Sequence, residues 1–160
     1  MIRTACPADL RRILEIYAHA RAFMAENGNA GQWGDRFPPE DLLRRDIAAG
    51  RLYAVEEDGR VHGVFALIFG PDPTYARIQE GSWLSDSPYG TIHRVAGDGE
   101  VRGLFSQILT FCREKTDHLR IDTHADNHVM QHLIVKNGFQ RRGMICVEDG
   151  TSRIAYEWLR

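Results

Sequence analysis

The sequence predicts an α/β fold in which a mixed β-sheet of about seven strands carries helices on both faces. Apolar residues recur at helical spacing in several segments, and short apolar runs of strand length alternate with them. Turns that contain glycine separate the two kinds of segment. A strand–helix–strand unit in the middle of the chain is flanked by hairpins, which requires both parallel and antiparallel pairing.

In the first half of the chain, residues 2–6 form a short predicted strand, and the helix after it ends at Asn27 and Gly28. Its apolar stripe is made of Leu10, Ile13, Leu14, Tyr17, Ala20 and Met24. A second helix is expected from residues 38–41 to Gly50. Two strands, at 52–56 and 61–69, are expected to join around Asp58 and Gly59, and the second is apolar enough to be central.

The second half contains the predicted crossover. After an irregular excursion at residues 70–89, a strand at 91–96 leads through a glycine turn into a helix that begins near Arg102. A strand follows at 119–123, then a helix from Asn127 to Gly138. The last two strands, at 139–147 and 152–159, are expected to form a hairpin.

Length and composition predict one domain that spans residues 1–160. The net charge of −2, from 20 basic and 22 acidic side chains, disfavours nucleic acid as a partner. Three cysteines without a CxxC spacing fit a reducing compartment, and no stretch has the pattern of a signal peptide or a membrane span. We expect a cytoplasmic protein without membrane partners. The sequence does not fix its oligomeric state, and a homodimer is compatible with it.

The turn between the strand at 91–96 and the next helix has the features of an anion site. Gly97, Gly99 and Gly103 lead into a helix start whose N–H groups lack partners, and such a start favours a phosphate or diphosphate. A P-loop is disfavoured because no Lys-Ser or Lys-Thr follows Gly103. The GxGxxxG spacing also differs from the GxGxxG of dinucleotide-binding folds.

Two motif regions occur in order along the chain. The first is Ile92-His93-Arg94-Val95-Ala96 with Val101-Arg102-Gly103-Leu104-Phe105-Ser106. The second runs from Asn127 through Met130, Leu133 and Ile134 to Lys136-Asn137-Gly138-Phe139. Together with the order of elements, these regions make nearly the whole chain resemble the GNAT acetyltransferases. The first region is similar to the CoA strand and pyrophosphate loop of that family. The second is similar to the family's N-x-x-A-x-x-L-Y-x-K-x-G-F segment.

The resemblance implies an N-acetyltransferase that uses acetyl-CoA as co-substrate, needs no metal, and acetylates a small-molecule or peptide amine by direct transfer in a ternary complex. The backbone of Arg94, Val95 and Ala96 would then pair with the pantetheine arm, as an added strand does. Asn127 would bond the same arm. The diphosphate would bind the amides of Val101, Arg102, Gly103, Leu104, Phe105 and Ser106.

The sequence departs from the family pattern at three positions. Glu100 and Phe105 stand where the family loop usually has Gln or Arg and Gly or Ala. Ile134 stands where the family often has the tyrosine credited with protonating the departing thiolate. A CoA-binding or regulatory module without turnover is therefore the alternative function. A metal-dependent hydrolase that uses the histidines is a third hypothesis.

His93 is the leading candidate for the general base, because imidazole titrates near neutrality and the residue lies on the expected CoA strand. A structural histidine bonded to the backbone is the alternative. Asp122 and His124 end the neighbouring strand, at the edge where ligands of α/β proteins collect, and are expected to contact the acceptor substrate. A local ion pair or a helix cap is equally compatible with them.

Two further groups of residues carry competing interpretations. His124, His128 and His132 have the spacing of metal ligands, but the apolar face of the helix leaves His128 and His132 towards solvent, so we expect no metal. Trp33, Phe37 and Trp83 lie in irregular segments, and large aromatic side chains there either line an acceptor pocket or cover the core. The GNAT resemblance favours the pocket.

Overall fold

Seven strands form one mixed sheet in a computed structural model that describes residues 1–160. The strands are β1 (Ile2–Thr4), β2 (Leu52–Glu57), β3 (Arg60–Phe69), β4 (Gly90–Gly97), β5 (His118–Thr123), β6 (Gln140–Cys146) and β7 (Ser152–Leu159). Their order in the sheet is β1-β2-β3-β4-β5-β7-β6. Only β4 and β5 pair in parallel, and every other neighbouring pair is antiparallel. The predicted mixed seven-stranded sheet is confirmed.

Five α-helices accompany the sheet. They are α1 (Leu10–Glu26), α2 (Ala30–Trp33), α3 (Glu40–Ala48), α4 (Leu104–Lys115) and α5 (His128–Lys136). Sequence patterns predicted all of them except α2, a single turn too short to show an apolar period. None of the helices combines the length and apolar character that crossing a bilayer would require.

The two faces of the sheet bury separate apolar clusters, and this places helices on both faces as predicted. On one face, Ile13, Ile16 and Tyr17 of α1 and Leu43 of α3 pack on the β2–β3–β4 half of the sheet. On the other face, α4 and α5 supply Phe105, Ile108, Leu109, Cys112 and Ile134. β3 contributes to both clusters, which explains why its sequence is apolar almost throughout.

The hairpin between β2 and β3 turns at Asp58 and Gly59, as their sequence predicted. Both residues have positive φ, 50° and 75° respectively, which a two-residue turn of the type preferred in hairpins requires. Asp tolerates this conformation better than most residues, and glycine adopts it without steric cost. Beyond the turn, a β-bulge inserts His62 as an extra residue of β3 between the Glu56–Val61 and Val55–Gly63 pairs, so that Ala54 lies opposite Val64.

The excursion at residues 70–89 covers the part of the sheet that α1 and α3 leave open. Its Tyr75 packs with Ile145 and Ala155 of β6 and β7 in a third apolar cluster. Gln79 and Met144 exchange backbone hydrogen bonds of 2.8 Å. The segment is therefore part of the packed structure, and its Asp72 contacts His93 of β4.

Candidate active site

The parallel strands β4 and β5 separate before β4 ends. They pair only from Gly90 to Ile92 on β4, opposite Leu119 to Ile121 on β5, while β4 continues to Gly97. One edge of β4 beyond Ile92 therefore faces no partner strand. An extended ligand can add to such an edge through backbone hydrogen bonds.

A β-bulge shapes β4 at this point. Ala66 of β3 lies opposite His93 and Val64 opposite Ala96, so two residues of β4, Arg94 and Val95, face one residue of β3. Arg94 has φ of +54°, in the left-handed region that non-glycine residues rarely adopt. Bulges of this kind re-aim backbone groups, and this one lies where the two strands diverge.

Two buried side chains hold Arg94 in this conformation. The Tyr17 hydroxyl of α1 donates a hydrogen bond of 2.8 Å to the Arg94 carbonyl, and burial raises the pKa of Tyr17 well above its usual value. The Arg94 guanidinium donates to Asp46 of α3 at 2.6 Å, and Asp46 also accepts from Arg51 at 2.7 Å. Asp46 is fully buried. The bulge is thus fixed from α1 and from α3.

The glycine turn after β4 ends in a helix start without a side-chain cap. Gly103 occupies the N-cap position with φ of +67°, and α4 begins at Leu104, two residues after Arg102, near which the sequence predicted the start. The first-turn N–H groups, including those of Phe105 and Ser106, have no intrahelical acceptor. Together with the helix dipole, they form a site suited to an anion.

Glu100 lies in this turn, but its carboxylate is drawn away from the helix start. Its Oε2 lies 3.5 Å from His62 Nδ1 and 3.6 Å from the Arg60 guanidinium. Phe105 likewise does not fill the turn, because its side chain is 5% exposed in the core cluster under α4. Neither departure from the family loop blocks the helix N-terminus.

Asp98 anchors the turn to the rest of the protein. Its Oδ2 lies 2.8 Å from His62 Nδ1 and accepts from Arg12 at 2.6 Å, while its Oδ1 accepts from the Glu100 N–H. Burial opposes ionisation of Asp98, but the hydrogen bonds from Glu100 and His62 lower its pKa below its usual value. Asp98, Glu100 and His62 are also the only trio of metal-ligand types that converges, but the Arg12 guanidinium already neutralises Asp98.

These elements border one cavity of about 490 Å³. Its walls are the C-terminal half of α1, the end of β4, the glycine turn and the starts of α4 and α5. Of the residues predicted to bind the cofactor, those that line it are Val95, Ala96, Val101, Gly103, Leu104, Phe105, Ser106 and Asn127. Arg94 and Arg102 do not line it, and neither do His93, Trp33, Phe37, Trp83, Asp122 and His124.

Asn127 joins the cavity to α2. Its Oδ1 caps α5 by accepting the Met130 N–H at 3.0 Å, and its Nδ2 donates to Gln32 Oε1 at 3.0 Å. Gln32 Oε1 also accepts from Asn29 Nδ2 at 2.9 Å. Sequence reasoning did not identify Gln32 or Asn29, because nothing in the local pattern around α2 indicates a contact 95 residues away.

His93 belongs to an acid–base pair on the other side of β4. Its Nε2 lies 2.8 Å from Asp72 Oδ2, and its side chain is 21% exposed. Thr74 donates to Asp72 Oδ1 through both its N–H and its hydroxyl. Burial alone would raise the pKa of Asp72, but the hydrogen bonds from His93 and Thr74 lower it to about 2. Because an ionised carboxylate only accepts, His93 carries a proton on Nε2 and leaves Nδ1 for other partners.

Asp122 and His124 do not form a pair with each other. Asp122 Oδ2 accepts from the hydroxyl of the buried Tyr75 at 2.6 Å, and burial together with this carboxylate raises the pKa of Tyr75 well above its usual value. His124 Nδ1 instead accepts the Asp126 N–H at 3.0 Å. Because Tyr75 also lies beside His93, with 6.2 Å between the ring centres, Asp122 belongs to the surroundings of the His93–Asp72 pair.

The remaining candidates lie apart from the cavity. Trp33 packs edge-on against Tyr17, with Phe37 beside it at 6.1 Å between ring centres. Trp83 donates to the Tyr75 carbonyl and lies 3.9 Å from the Arg120 guanidinium carbon, so it covers the core. His128 and His132 are exposed, as their positions on the predicted helix implied.

Comparison with solved structures gives many matches of the same fold. An acetyltransferase of the GNAT family from Streptococcus agalactiae 2603 is 33% identical, with a TM-score of 0.91 over 100% of this chain and 95% of that chain. A GNAT-family acetyltransferase from Listeria monocytogenes 4b F2365 is 19% identical, with a TM-score of 0.75 over 100% and 94% of the two chains. The protein yncA from Salmonella typhimurium, solved with its cofactor acetyl-CoA, is 21% identical, with a TM-score of 0.60 over 99% and 92%. No protein-family model and no curated protein sequence matches the chain.

Proposed function

Because this chain belongs to the GNAT family of acetyltransferases, we propose that it transfers the acetyl group of acetyl-CoA directly to an amine. All 160 residues act as one acyltransferase domain in this proposal. The observation that carries it is the single cavity into which the open edge of β4 and the uncapped start of α4 both face. The first suits the amide-bearing arm of CoA, and the second suits its diphosphate.

In this proposal the amine nitrogen forms a bond to the acetyl carbonyl carbon, and the bond between that carbon and the sulfur of CoA breaks. The amine gives up a proton, and the departing thiolate takes one. Backbone N–H groups near the β4 bulge are suited to the negative charge that develops on the carbonyl oxygen. The protein supplies alignment and donors, so that no metal is needed for the chemistry.

His93 is the proposed base. Its unoccupied Nδ1 suits removal of a proton from the amine, and Asp72 holds the imidazole in the required tautomer. Since His93 does not line the cavity of the cofactor, the amine would approach from the side of β4 that Asp72, Tyr75 and Asp122 border. The carboxylates of Asp72 and Asp122 favour a cationic acceptor substrate. This acceptor is a small molecule or a peptide that carries an amine.

A CoA-binding module without turnover is the second candidate, and Ile134 is the observation that favours it. The side chain is fully buried in the core cluster under α5 and carries no proton to give to a thiolate. The two functions differ in one result. An enzyme releases free thiol from acetyl-CoA only when an amine is present, whereas a module binds CoA and releases none.

The test is CoA binding by the native protein and by a variant with a charge at the helix start. CoA at 100 times its dissociation constant should stabilise the fold by about 2.7 kcal/mol, which a melting curve detects. Ser106→Glu should weaken binding roughly tenfold or more, since a carboxylate repels the diphosphate while favouring the helix dipole. Gln107→Glu is the matched control and should leave CoA binding nearly unchanged. Gln107 follows Ser106 in the chain, is exposed, and does not line the cavity.

Absence of a melting shift and of binding heat at millimolar CoA would overturn the proposal. If CoA binds, a screen of amines with acetyl-CoA decides between the enzyme and the module. The release of free CoA thiol is the quantity measured.

A further inference from the structure

His19 of α1 brings an imidazole to the wall of the cavity, beside the glycine turn. The residue is exposed and lines the cavity. Its Nε2 lies 3.6 Å from the position that a Cβ on Gly99 would take, so the ring lies against the backbone of the turn. The side chains of Arg12 and Tyr17 on the same helix bond within the protein, whereas the His19 ring has no hydrogen-bond or ion-pair partner there. The ring is therefore accessible to a ligand in the cavity.

The cavity is poor in positive charge. No lysine or arginine lines it, and Arg102, the one basic residue of the glycine turn, lies outside it. The ionisable side chains that do line it are His19, Asp126 and His128. The start of α4 supplies the equivalent of only about half a positive charge, whereas a diphosphate carries a negative charge on each phosphate. An anion of this kind therefore needs a further cation, and the two histidines can supply one.

The acidic side chains on the elements next to His19 have other partners. Glu15, one turn earlier on α1, lies 3.3 Å from the Arg12 guanidinium, and Asp98 of the turn accepts from the same guanidinium at 2.6 Å. Glu100 of the turn is paired with basic side chains of β3. None of these carboxylates occupies the imidazole, so a protonated His19 keeps its donor for an anionic ligand.

We infer that protonated His19 donates a hydrogen bond from Nε2 to the diphosphate of CoA. The inference rests on the proposed function for the identity of the ligand. A diphosphate at the start of α4 lies beside the glycine turn, and the His19 ring lies against that turn. A hydrogen bond from a cationic imidazole to a phosphate oxygen is charge-assisted and is stronger than one between neutral groups. His128, the first residue of α5, lies on another wall of the cavity.

This role makes the affinity for the cofactor depend on pH. An imidazole gains its positive charge as the pH falls from 8 to 5, so binding of the diphosphate should tighten over this range. The 3′-phosphate of CoA takes up a proton near pH 6, which acts in the opposite direction. Dephospho-CoA lacks that phosphate, and its diphosphate stays ionised throughout, so this ligand reports the charge of the protein alone.

His19→Ala tests the inference by calorimetric titration with dephospho-CoA. At pH 6 the variant should bind roughly tenfold more weakly than the native protein, and at pH 8 the two should agree within about threefold. His19→Lys keeps its charge and should bind at pH 8 at least as tightly as the native protein. His132→Ala is the matched control, since this exposed histidine of α5 does not line the cavity, and its affinities should stay within about twofold of the native values.

Equal affinities of the native protein and His19→Ala at pH 6 would overturn the inference. A loss of the same size at pH 6 and pH 8 would also overturn it, because such a loss does not depend on protonation. A loss with CoA but none with dephospho-CoA would refute the assignment to the diphosphate and would move the contact to the 3′-phosphate. A native protein that binds neither ligand refutes the proposed function itself, which a loss confined to His19→Ala does not.

Discussion

Asp72 and His93 are 21 residues apart in the chain and meet across 2.8 Å. The imidazole donates from Nε2 because Asp72 is ionised, and Thr74 saturates the other carboxylate oxygen with two hydrogen bonds. If His93 is the base, as we propose, the pair sets which imidazole nitrogen is available to take the proton. Asp72 would then be a positioning residue that acts through His93.

Asp72→Asn is expected to lower kcat/KM by roughly 100-fold, about as much as His93→Ala. In the variant, the two Thr74 donors require the amide oxygen of Asn at the position of Asp72 Oδ1, so the amide NH2 group faces His93 Nε2. Nε2 must then accept, and the imidazole proton moves to Nδ1. The base is then lost although the imidazole remains. Steady-state rates with acetyl-CoA and an active amine measure this, and CoA affinity should stay within twofold.

The double variant provides the control. If the two residues act as one unit, His93→Ala in the Asp72→Asn background should cost nothing further. Additive losses would show that Asp72 does not act through His93. Full activity in His93→Ala would remove the base assignment and make Asp122 the next candidate.

At the scale of single elements, α1 controls the shape of β4. Tyr17 is fully buried and donates to the carbonyl of the one β4 residue that has a left-handed conformation. Such conformations persist only where surrounding contacts fix them. The Asp46–Arg94 ion pair constrains the side chain of that residue, whereas Tyr17 constrains its backbone.

Tyr17→Phe should therefore reduce kcat roughly fivefold to tenfold with little change in KM for acetyl-CoA, because one buried hydrogen bond to the bulge is lost. The stability loss should be about 1 kcal/mol. Tyr53→Phe is the matched control, since Tyr53 stacks on Phe65 on the other side of the sheet. Equal effects of both substitutions on kcat would contradict a specific role for Tyr17.

The elements of the fold could be predicted because their signals are local. The stripe from Leu10 to Ala20, the Asp58–Gly59 turn and the glycine turn before Leu104 each lie within a few residues of what they determine. Of the ten residues that the GNAT motifs predicted to bind the cofactor, eight line the cavity, whereas the wall that α1 contributes was not predicted.

The partners of these residues could not be predicted, because they come from distant parts of the chain. Asp72 reaches His93 from an irregular segment, Tyr17 reaches Arg94 across 77 residues, and Gln32 reaches Asn127 across 95. In the local sequence, Asp72 fits a turn, Tyr17 fits an apolar helix face and Gln32 is a polar loop residue, so none of them indicates its distant partner. Only the packing of α1, α2 and the 70–89 segment against the sheet brings them to the site.

At the scale of the whole molecule, a buried ionic network holds the 70–89 segment on the sheet. Glu157 is fully buried, and its carboxylate lies 2.6 Å from His118 Nε2 and 3.2 Å from Arg120 Nε. Its Oε1 accepts the Leu84 N–H at 2.6 Å. Arg120 in turn lies between the rings of Trp83 and Tyr89, so the network joins two strands to the segment that also supplies Asp72.

Removal of Glu157 should destabilise the protein strongly. Glu157→Ala leaves a buried arginine and an N–H group without their acceptor, and breaking a buried pair in this way costs about 3–5 kcal/mol. Urea unfolding measures the loss. Glu148→Ala, at an exposed position in the β6–β7 turn, is the control and should change stability by less than about 0.5 kcal/mol. A loss below 1 kcal/mol for Glu157→Ala would show that the network is dispensable.

The free energy of unfolding should fall in acid. The pH range of this fall is set by the lowered pKa values of two carboxyl groups, Asp9 and Asp72. Hydrogen bonds from Arg3 lower the pKa of Asp9 to about 2, and those from His93 and Thr74 lower that of Asp72 to about 2. In the unfolded chain both titrate near 3.9. Because the folded pKa is the lower one, the unfolded state binds more protons, and stability falls as the pH drops from about 5 towards 2.

Urea unfolding at several pH values in this window should therefore show a steadily falling free energy of unfolding. Asp9→Asn should be less stable at pH 7 and lose less on acidification, since the Arg3 pair is already broken. Asp35→Asn changes a carboxylate that is almost fully exposed and should leave the curve unaltered. A stability that stays constant from pH 5 to pH 3 would contradict the depressed pKa of both groups, and an Asp9→Asn curve parallel to the native one would contradict that of Asp9 alone.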